Sequence, residues 1–269
     1  MHWSEIERAF SRAIAFSFSK KKLLLTFPIL LLCGILTVFC RALAYERNDW
    51  VAMSFAFLPI LLSSGVLLGL GVLLIRIHAH EVKHLSLSFR RLIAGSADLL
   101  LGTSYLTIPP LLVYLLLWMV LGIFFLLREI PGVGDFFTVV FAFGPFLLIF
   151  GSLLLCLFNL ALLFFVAPAA ALQPLRRESL AKRALGLFHG KILSSIALFL
   201  LAMAPILLIV GLLTLAAILS NAAPEKPFAV AMEWFFIMIP FVAVLTPAVI
   251  FFFNFAAESY QLLHPKTAS

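Results

Sequence analysis

The chain has 269 residues, of which 64% are hydrophobic and 12% are charged, with a mean hydropathy of +1.17 and a net charge of +7. A soluble domain of this length needs a polar outer shell, so the composition excludes one and predicts a single integral membrane domain over residues 1–269. The positive charge flanks apolar stretches and forms no basic stripe with interleaved aromatic residues, which excludes a nucleic-acid partner.

Six stretches are apolar over the roughly 20 residues that a membrane-spanning helix requires. In chain order they are residues 23–41, 51–77, 99–127, 138–167, 192–219 and 233–257. The sequence therefore predicts an all-α polytopic membrane protein with six transmembrane helices and a short tail at 258–269.

The lysines and arginines are distributed unevenly between the two ends of these spans. Of the 19 basic residues, 15 lie before span one, at the end of span two or after it, after span four or after span six. Cytoplasmic flanks of membrane proteins carry an excess of lysine and arginine, so we expect both termini to be cytoplasmic.

Each odd-numbered span is preceded by a basic amphipathic segment. In the first segment, Arg8 and Arg12 point away from a helical face made by Trp3, Ile6, Phe10, Ala13 and Ile14. The second and third segments include residues 85–92 and 180–188. A basic polar face is typical of a helix that lies in the headgroup plane, so all three are predicted interfacial helices.

The even-numbered spans share a pattern of phenylalanine and proline. Residues 55–59 read FAFLP, residues 141–145 read FAFGP and residues 236–240 read FIMIP. Together with the amphipathic segments, this recurrence predicts three parallel hairpin repeats, at 1–77, 78–167 and 168–257. The alternative interpretation is chance recurrence in a chain that contains 29 phenylalanines.

The second and third amphipathic segments and their flanks provide candidate lipid contacts. Lysine and arginine near a membrane surface favour anionic headgroups. The candidates are Arg90, Arg91, Arg176, Arg177, Lys182, Arg183 and Lys191. The predicted partners are the bilayer and its anionic headgroups, and the sequence indicates no cofactor and identifies no protein partner.

Asn159 and Asn254 are uncharged amides inside the predicted spans. Polar groups at membrane depth usually face the helix bundle, where they find hydrogen-bond partners. One interpretation is contact with a substrate or ion. We favour hydrogen bonding between helices.

Residues 80–84 read HEVKH, which matches the H-E-x-x-H pattern of zinc proteases. A helix would place His80 and His84 on one face as zinc ligands, with Glu81 as the general base. A catalytic zinc also needs a third protein ligand, and Asp98, Glu178 and His189 are candidates that belong to no recognisable second motif.

The simpler interpretation of this motif is a solvated, basic turn after span two. His78, His80, Lys83 and His84 would then lie among lipid headgroups together with Glu81. We favour this interpretation and therefore predict neither a metal site nor catalysis at residues 80–84.

Residues 165–191 resemble a known family of membrane proteins. A span that ends in Phe165-Val166-Ala167-Pro168 leads to a basic helix, ESLAKRAL at 178–185, and then to Gly190-Lys191 and a new span. This arrangement is similar to the six-helix family that includes the membrane domain of glycerophosphodiester phosphodiesterases and many stand-alone bacterial proteins. The resemblance implies the six-helix fold and the bacterial inner membrane. It implies no reaction, because no soluble stretch remains to build the catalytic barrel.

The function that the sequence favours is a non-enzymatic scaffold or lipid-contacting bundle. A carrier of a small or lipid-like substrate is the first alternative, and the scarcity of charged residues deep in the spans weighs against ion-coupled transport. A zinc metalloprotease that uses residues 80–84 is the second alternative.

Overall fold

The computed structural model describes residues 3–45, 49–83, 105–128, 134–172, 192–219 and 227–263, and the regular structure in them is helical. A single-turn 3-10 helix at Tyr105–Thr107 precedes α4. The α-helices are α1 (Trp3–Ala15), α2 (Lys20–Ala44), α3 (Asp49–Val82), α4 (Ile108–Arg128), α5 (Gly134–Leu172), α6 (Ile192–Leu219) and α7 (Pro227–Leu263).

Five of these helices contain segments that are long and apolar enough to cross a membrane. The segments are Lys20–Ala44, Phe55–Val82, Phe146–Leu172, Leu193–Ala216 and Val230–Leu263, and Ile108–Val120 forms a shorter apolar helix. A helix satisfies its backbone hydrogen bonds internally, which explains why apolar sequences of this length adopt it in lipid. The chain is therefore an all-α, multi-pass membrane protein.

The helices pack as an inner group with outer helices around it. The inner helices α3, α5 and α7 contact one another, while α2 packs against α3 and α7, α4 chiefly against α5, and α6 against α7. Phenylalanine rings fill much of the inner interface: the rings of Phe164 and Phe252 are 5.6 Å apart, and Phe253 lies against Gly71.

Contacts at both ends of α2 define its direction. Lys22 at its start is close to Glu81 in α3 and Asn254 in α7. At its other end, the ring of Tyr45 lies 5.9 Å from that of Trp234, near the start of α7. Helix α2 therefore runs antiparallel to α3 and α7. We call the end of the bundle that holds Lys22 the polar end.

Helix α1 docks on the last turns of α7. The ring of Phe10 lies 5.1 Å from that of Phe251 and 5.9 Å from that of Phe255, and both rings meet it edge-on. Ala9 and Ala13 are buried in the same contact because their small side chains allow the two helices to approach closely.

The apolar face of α1 is only partly buried against protein. Trp3 and Ile14 of that face are exposed, and Arg12 pairs with the buried carboxylate of Glu258 in α7.

Several helices extend beyond the predicted spans. Helix α3 continues through Val82 and α7 through Leu263, whereas the spans were predicted to end at 77 and 257. Hydropathy falls at these helix ends, but buried ion pairs keep the polar residues inside the bundle. The amphipathic segments at 85–92 and 180–188 lie outside the described residues.

Candidate functional site

Glu81, the possible general base of the zinc motif, faces the start of α2. Its Oε2 is 2.8 Å from Nζ of Lys22, and its Oε1 accepts a 3.1 Å hydrogen bond from the hydroxyl of Ser19. Ser19 occupies the N-cap position of α2 but makes no capping hydrogen bond with its side chain. One carboxylate therefore joins α3 to α2 through an ion pair and a hydrogen bond from a hydroxyl group.

Lys22 is fully buried although it lies in the first turn of α2. Besides its ion pair with Glu81, its ammonium donates to Oδ1 of Asn254 at 3.1 Å and to the carbonyl of Phe16 at 3.4 Å. These three oxygens match the three donors of an ammonium group. The first turn is also the positive end of the helix dipole, so the buried charge depends on Glu81 for compensation.

A second charged group lies beside the first and is centred on Glu258. Its Oε1 is 3.0 Å from Nε2 of His78, and its Oε2 is 3.3 Å from a guanidinium nitrogen of Arg12. The side chains of His78 and Glu258 are 1% and 8% exposed, whereas that of Arg12 is 46% exposed. Arg12 thus closes the group on its solvent side.

Phe16 and Asn254 link the ion pair of Lys22 and Glu81 to the group centred on Glu258. The Phe16 ring meets His78 edge-on at 5.5 Å and lies 5.7 Å from Nζ of Lys22. The Asn254 amide accepts from Lys22 and donates to the carbonyl of Ala13 at 3.4 Å. The last carbonyls of a helix lack partners within it, so Asn254 and Lys22 supply partners to the C-terminal end of α1 and its turn.

We call these connected side chains the polar cluster. Its ionised groups are two cations and two carboxylates, so the cluster is balanced in charge when His78 is neutral. It ties together α1, α2, α3 and α7 at the polar end. Its members are Arg12, Ser19, Lys22, His78, Glu81, Asn254 and Glu258.

The residues of the motif fit a catalytic zinc site poorly. The carboxylate of Glu81, the possible general base, is engaged by Lys22 and Ser19. Among the described residues, no group of three or more His, Cys, Asp or Glu side chains is arranged to hold a metal ion. His84 lies outside the described residues.

The interpretation of this region as a solvated turn is also wrong for two of its residues. His78 is buried, and Glu81 is in an ion pair inside helix α3. Lys83 is exposed, as that interpretation required. The motif therefore contributes to helix packing on one side and reaches solvent on the other.

The two intramembrane amides have different surroundings. Asn254 bonds to α1 and α2, which is the interhelical role favoured from the sequence. Asn159 is buried in α5, and its Oδ1 has no hydrogen-bond partner among the residues that the structure describes. Its role remains a prediction.

Sequence reasoning missed Lys22 and Glu258 as partners in a buried site. Lys22 was counted among the basic residues that flank span one, and Glu258 was placed in the tail. One available signal was helical spacing: Glu258 follows Asn254 by four positions, and Glu81 follows His78 by three. The two residues of each pair therefore lie on the same face of their helix, just beyond the predicted apolar span or at its end.

The candidate lipid contacts in the second and third amphipathic segments lie outside the described residues. These are Arg90, Arg91, Arg176, Arg177, Lys182, Arg183 and Lys191. Comparison of this chain with known protein families, curated proteins and solved structures finds no match. The resemblance to the phosphodiesterase membrane domain thus stays an expectation, and functional inference depends on the polar cluster and the bundle.

Proposed function

We propose that the protein is a non-enzymatic scaffold of the bacterial inner membrane, built as a lipid-contacting helix bundle. The observation that carries this proposal is the polar cluster, in which two cations and two carboxylates form ion pairs between helices. Catalytic groups need a base, nucleophile or metal ligand that can face a substrate. Lys22, Glu81 and Glu258 are instead engaged in joining four helices.

We further propose six spans arranged as three parallel hairpins that enter from the cytoplasmic side. The contacts between α2 and α3, α4 and α5, and α6 and α7 support this arrangement, as does the apolar segment Ile108–Val120 in the third position. Helix α1 and the end of α7 meet at the polar end, which agrees with termini on one side. Each hairpin would follow a basic interfacial helix that contacts anionic lipid.

The two alternative functions have less support. A carrier needs a path between its helices, whereas phenylalanine rings occupy much of the interface between α3, α5 and α7. A metalloprotease needs a free general base, whereas Glu81 is held by Lys22.

A double-mutant cycle on Lys22 and Glu81 tests the structural role of the cluster. Glu81→Met leaves a buried ammonium without its carboxylate, and breaking such a pair typically costs about 3–5 kcal/mol of unfolding free energy. The double variant Lys22→Met/Glu81→Met removes both charges and should recover much of this loss of stability. Unfolding of the purified protein in neutral detergent provides the measurement, with exposed Lys21→Met as the matched control.

Two results would contradict the proposal. Strictly additive effects of the two single replacements would show that the pair does not act as a unit. A folded, stable double variant that abolished the cellular phenotype of the native chain would show that the charges have a role beyond joining helices.

A further inference from the structure

Three exposed lysines at the polar end are not used by the polar cluster. Lys20 and Lys21 lie in the first turn of α2, and Lys83 directly follows α3. None of the three forms an ion pair with another residue in the described ranges. Because Glu81 and Glu258 are engaged by other cations, they are not free to neutralise these lysines.

The polar cluster brings the lysines to the same place. Ser19 precedes Lys20 and Lys21, and its hydroxyl is bonded to Glu81, which is two residues before Lys83. The ion pair between Glu81 and Lys22 strengthens the same junction. The start of α2 and the end of α3 thus both contribute exposed lysines to the polar end.

Lys21 also continues the exposed apolar face of α2. Spacings of three and four residues place it in one stripe with Leu24, Pro28, Leu32, Ile35 and Phe39, all of which are exposed. On a membrane-spanning helix, such a stripe faces acyl chains. Lys21 therefore lies where the acyl-chain region ends, and Phe18 beside it is 66% exposed.

We propose that Lys20, Lys21 and Lys83 bind the phosphate of an anionic phospholipid whose acyl chains follow the α2 stripe. Lysine binds phosphate as a compact charge, and an exposed apolar ring such as Phe18 can insert between the headgroups and the acyl chains. The continuous apolar stripe favours a lipid over a soluble phosphate. This inference rests on the proposed lipid-contacting bundle and adds a site outside the second and third amphipathic segments.

Acidic residues of α1 do not remove this preference. Glu5 and Glu7 are exposed near the start of α1. Glu7 is eight residues before the end of α1 at Ala15, which places it about 12 Å along the helix from the turn that leads to α2. At physiological ionic strength, exposed charges beyond roughly 8 Å are strongly screened from one another.

The test uses the full-length protein in nanodiscs that contain phosphatidylcholine and phosphatidylglycerol with identical acyl chains. Native mass spectrometry then measures which lipid stays bound. The native protein should retain phosphatidylglycerol preferentially, and Lys20→Gln/Lys21→Gln/Lys83→Gln should reduce that preference by about tenfold, after allowance for screening.

A pair of single replacements provides the matched control. Lys21→Gln should lose part of the preference, whereas Arg41→Gln, which removes one exposed charge near the other end of α2, should keep it. The comparison of Lys21→Gln with Arg41→Gln tests the lipid site even if the triple variant does not fold.

Two outcomes would overturn the site. The first is an unchanged preference in Lys21→Gln or in a folded triple variant, and the second is full displacement of the lipid by inorganic phosphate. Unfolding in neutral detergent distinguishes failure of the lipid site from failure of the proposed scaffold function. If the triple variant is as stable as the native protein and keeps its lipid preference, only the proposed lipid site is ruled out.

Discussion

Gly71 of α3 lies directly beneath the ring of Phe253 from α7. A Cβ atom at this position would overlap Cε1 of that ring. Phe253 is itself buried in the core, so its ring has little room to move. Close approach of two inner helices therefore requires glycine at this residue.

Gly71→Ala should destabilise the protein by about 1–3 kcal/mol, since the added methyl group overpacks the interface between α3 and α7. Gly122→Ala and Gly211→Ala are the controls, because a Cβ at either position meets no atom within 4 Å. They should be neutral or stabilising by up to about 1 kcal/mol, as alanine favours helix. Unfolding in detergent measures all three, and equal effects would contradict the packing described here.

At the scale of single residues, the sequence shows that the site contains polar side chains but not which of them contact one another. Asn254 was identified because an amide stands out in an apolar span. Lys22 was not, because a lysine at a span boundary usually faces headgroups. Its burial depends on Glu81 and Asn254, which come from helices that are distant in sequence. Composition and spacing within one helix carry no information on that contact.

At the scale of helices, α1 illustrates what periodicity can predict. The pattern of apolar residues correctly indicated an amphipathic helix, observed at Trp3–Ala15. It could not predict that the ring of Phe10 would pack against those of Phe251 and Phe255, which are one turn apart on α7. The segment therefore packs against protein through Ala9 and Ala13 and leaves other apolar side chains exposed.

Ala13→Leu should separate α1 from α7, because Ala13 is fully buried and its carbonyl accepts the hydrogen bond from Asn254. Faster backbone hydrogen exchange over residues 3–15 would report the loss of docking. Ile14→Leu, a change at the neighbouring exposed position, should leave exchange unchanged. Equal protection in both variants would contradict the docked arrangement.

The predicted spans differ in how well they match the helices. Span five, 192–219, coincides with Ile192–Leu219, whose sequence is apolar throughout. Spans two and six end early because hydropathy falls at His78 and Glu258. These residues continue their helices inside the bundle because each has a charged or hydrogen-bonding partner. Hydropathy measures transfer to lipid and does not register such partners.

At the scale of the whole molecule, several helices share the polar end. The start of α2 and the ends of α3 and α7 meet there in the polar cluster. Ser195 near the start of α6 lines a small cavity with Ser259 of α7, which brings a second outer helix to the same end. We propose that this end faces the cytoplasm, as the distribution of basic residues predicts.

Sided labelling of single cysteines tests this claim most directly, in a background that lacks Cys33, Cys40 and Cys156. Ser4→Cys and Gln261→Cys probe exposed positions at the polar end, and Leu219→Cys probes the exposed end of α6. With an impermeant thiol reagent, Leu219→Cys should react in intact cells, and the other two only after permeabilisation. Reaction of Ser4→Cys and Gln261→Cys in intact cells, with protection of Leu219→Cys, would contradict the account.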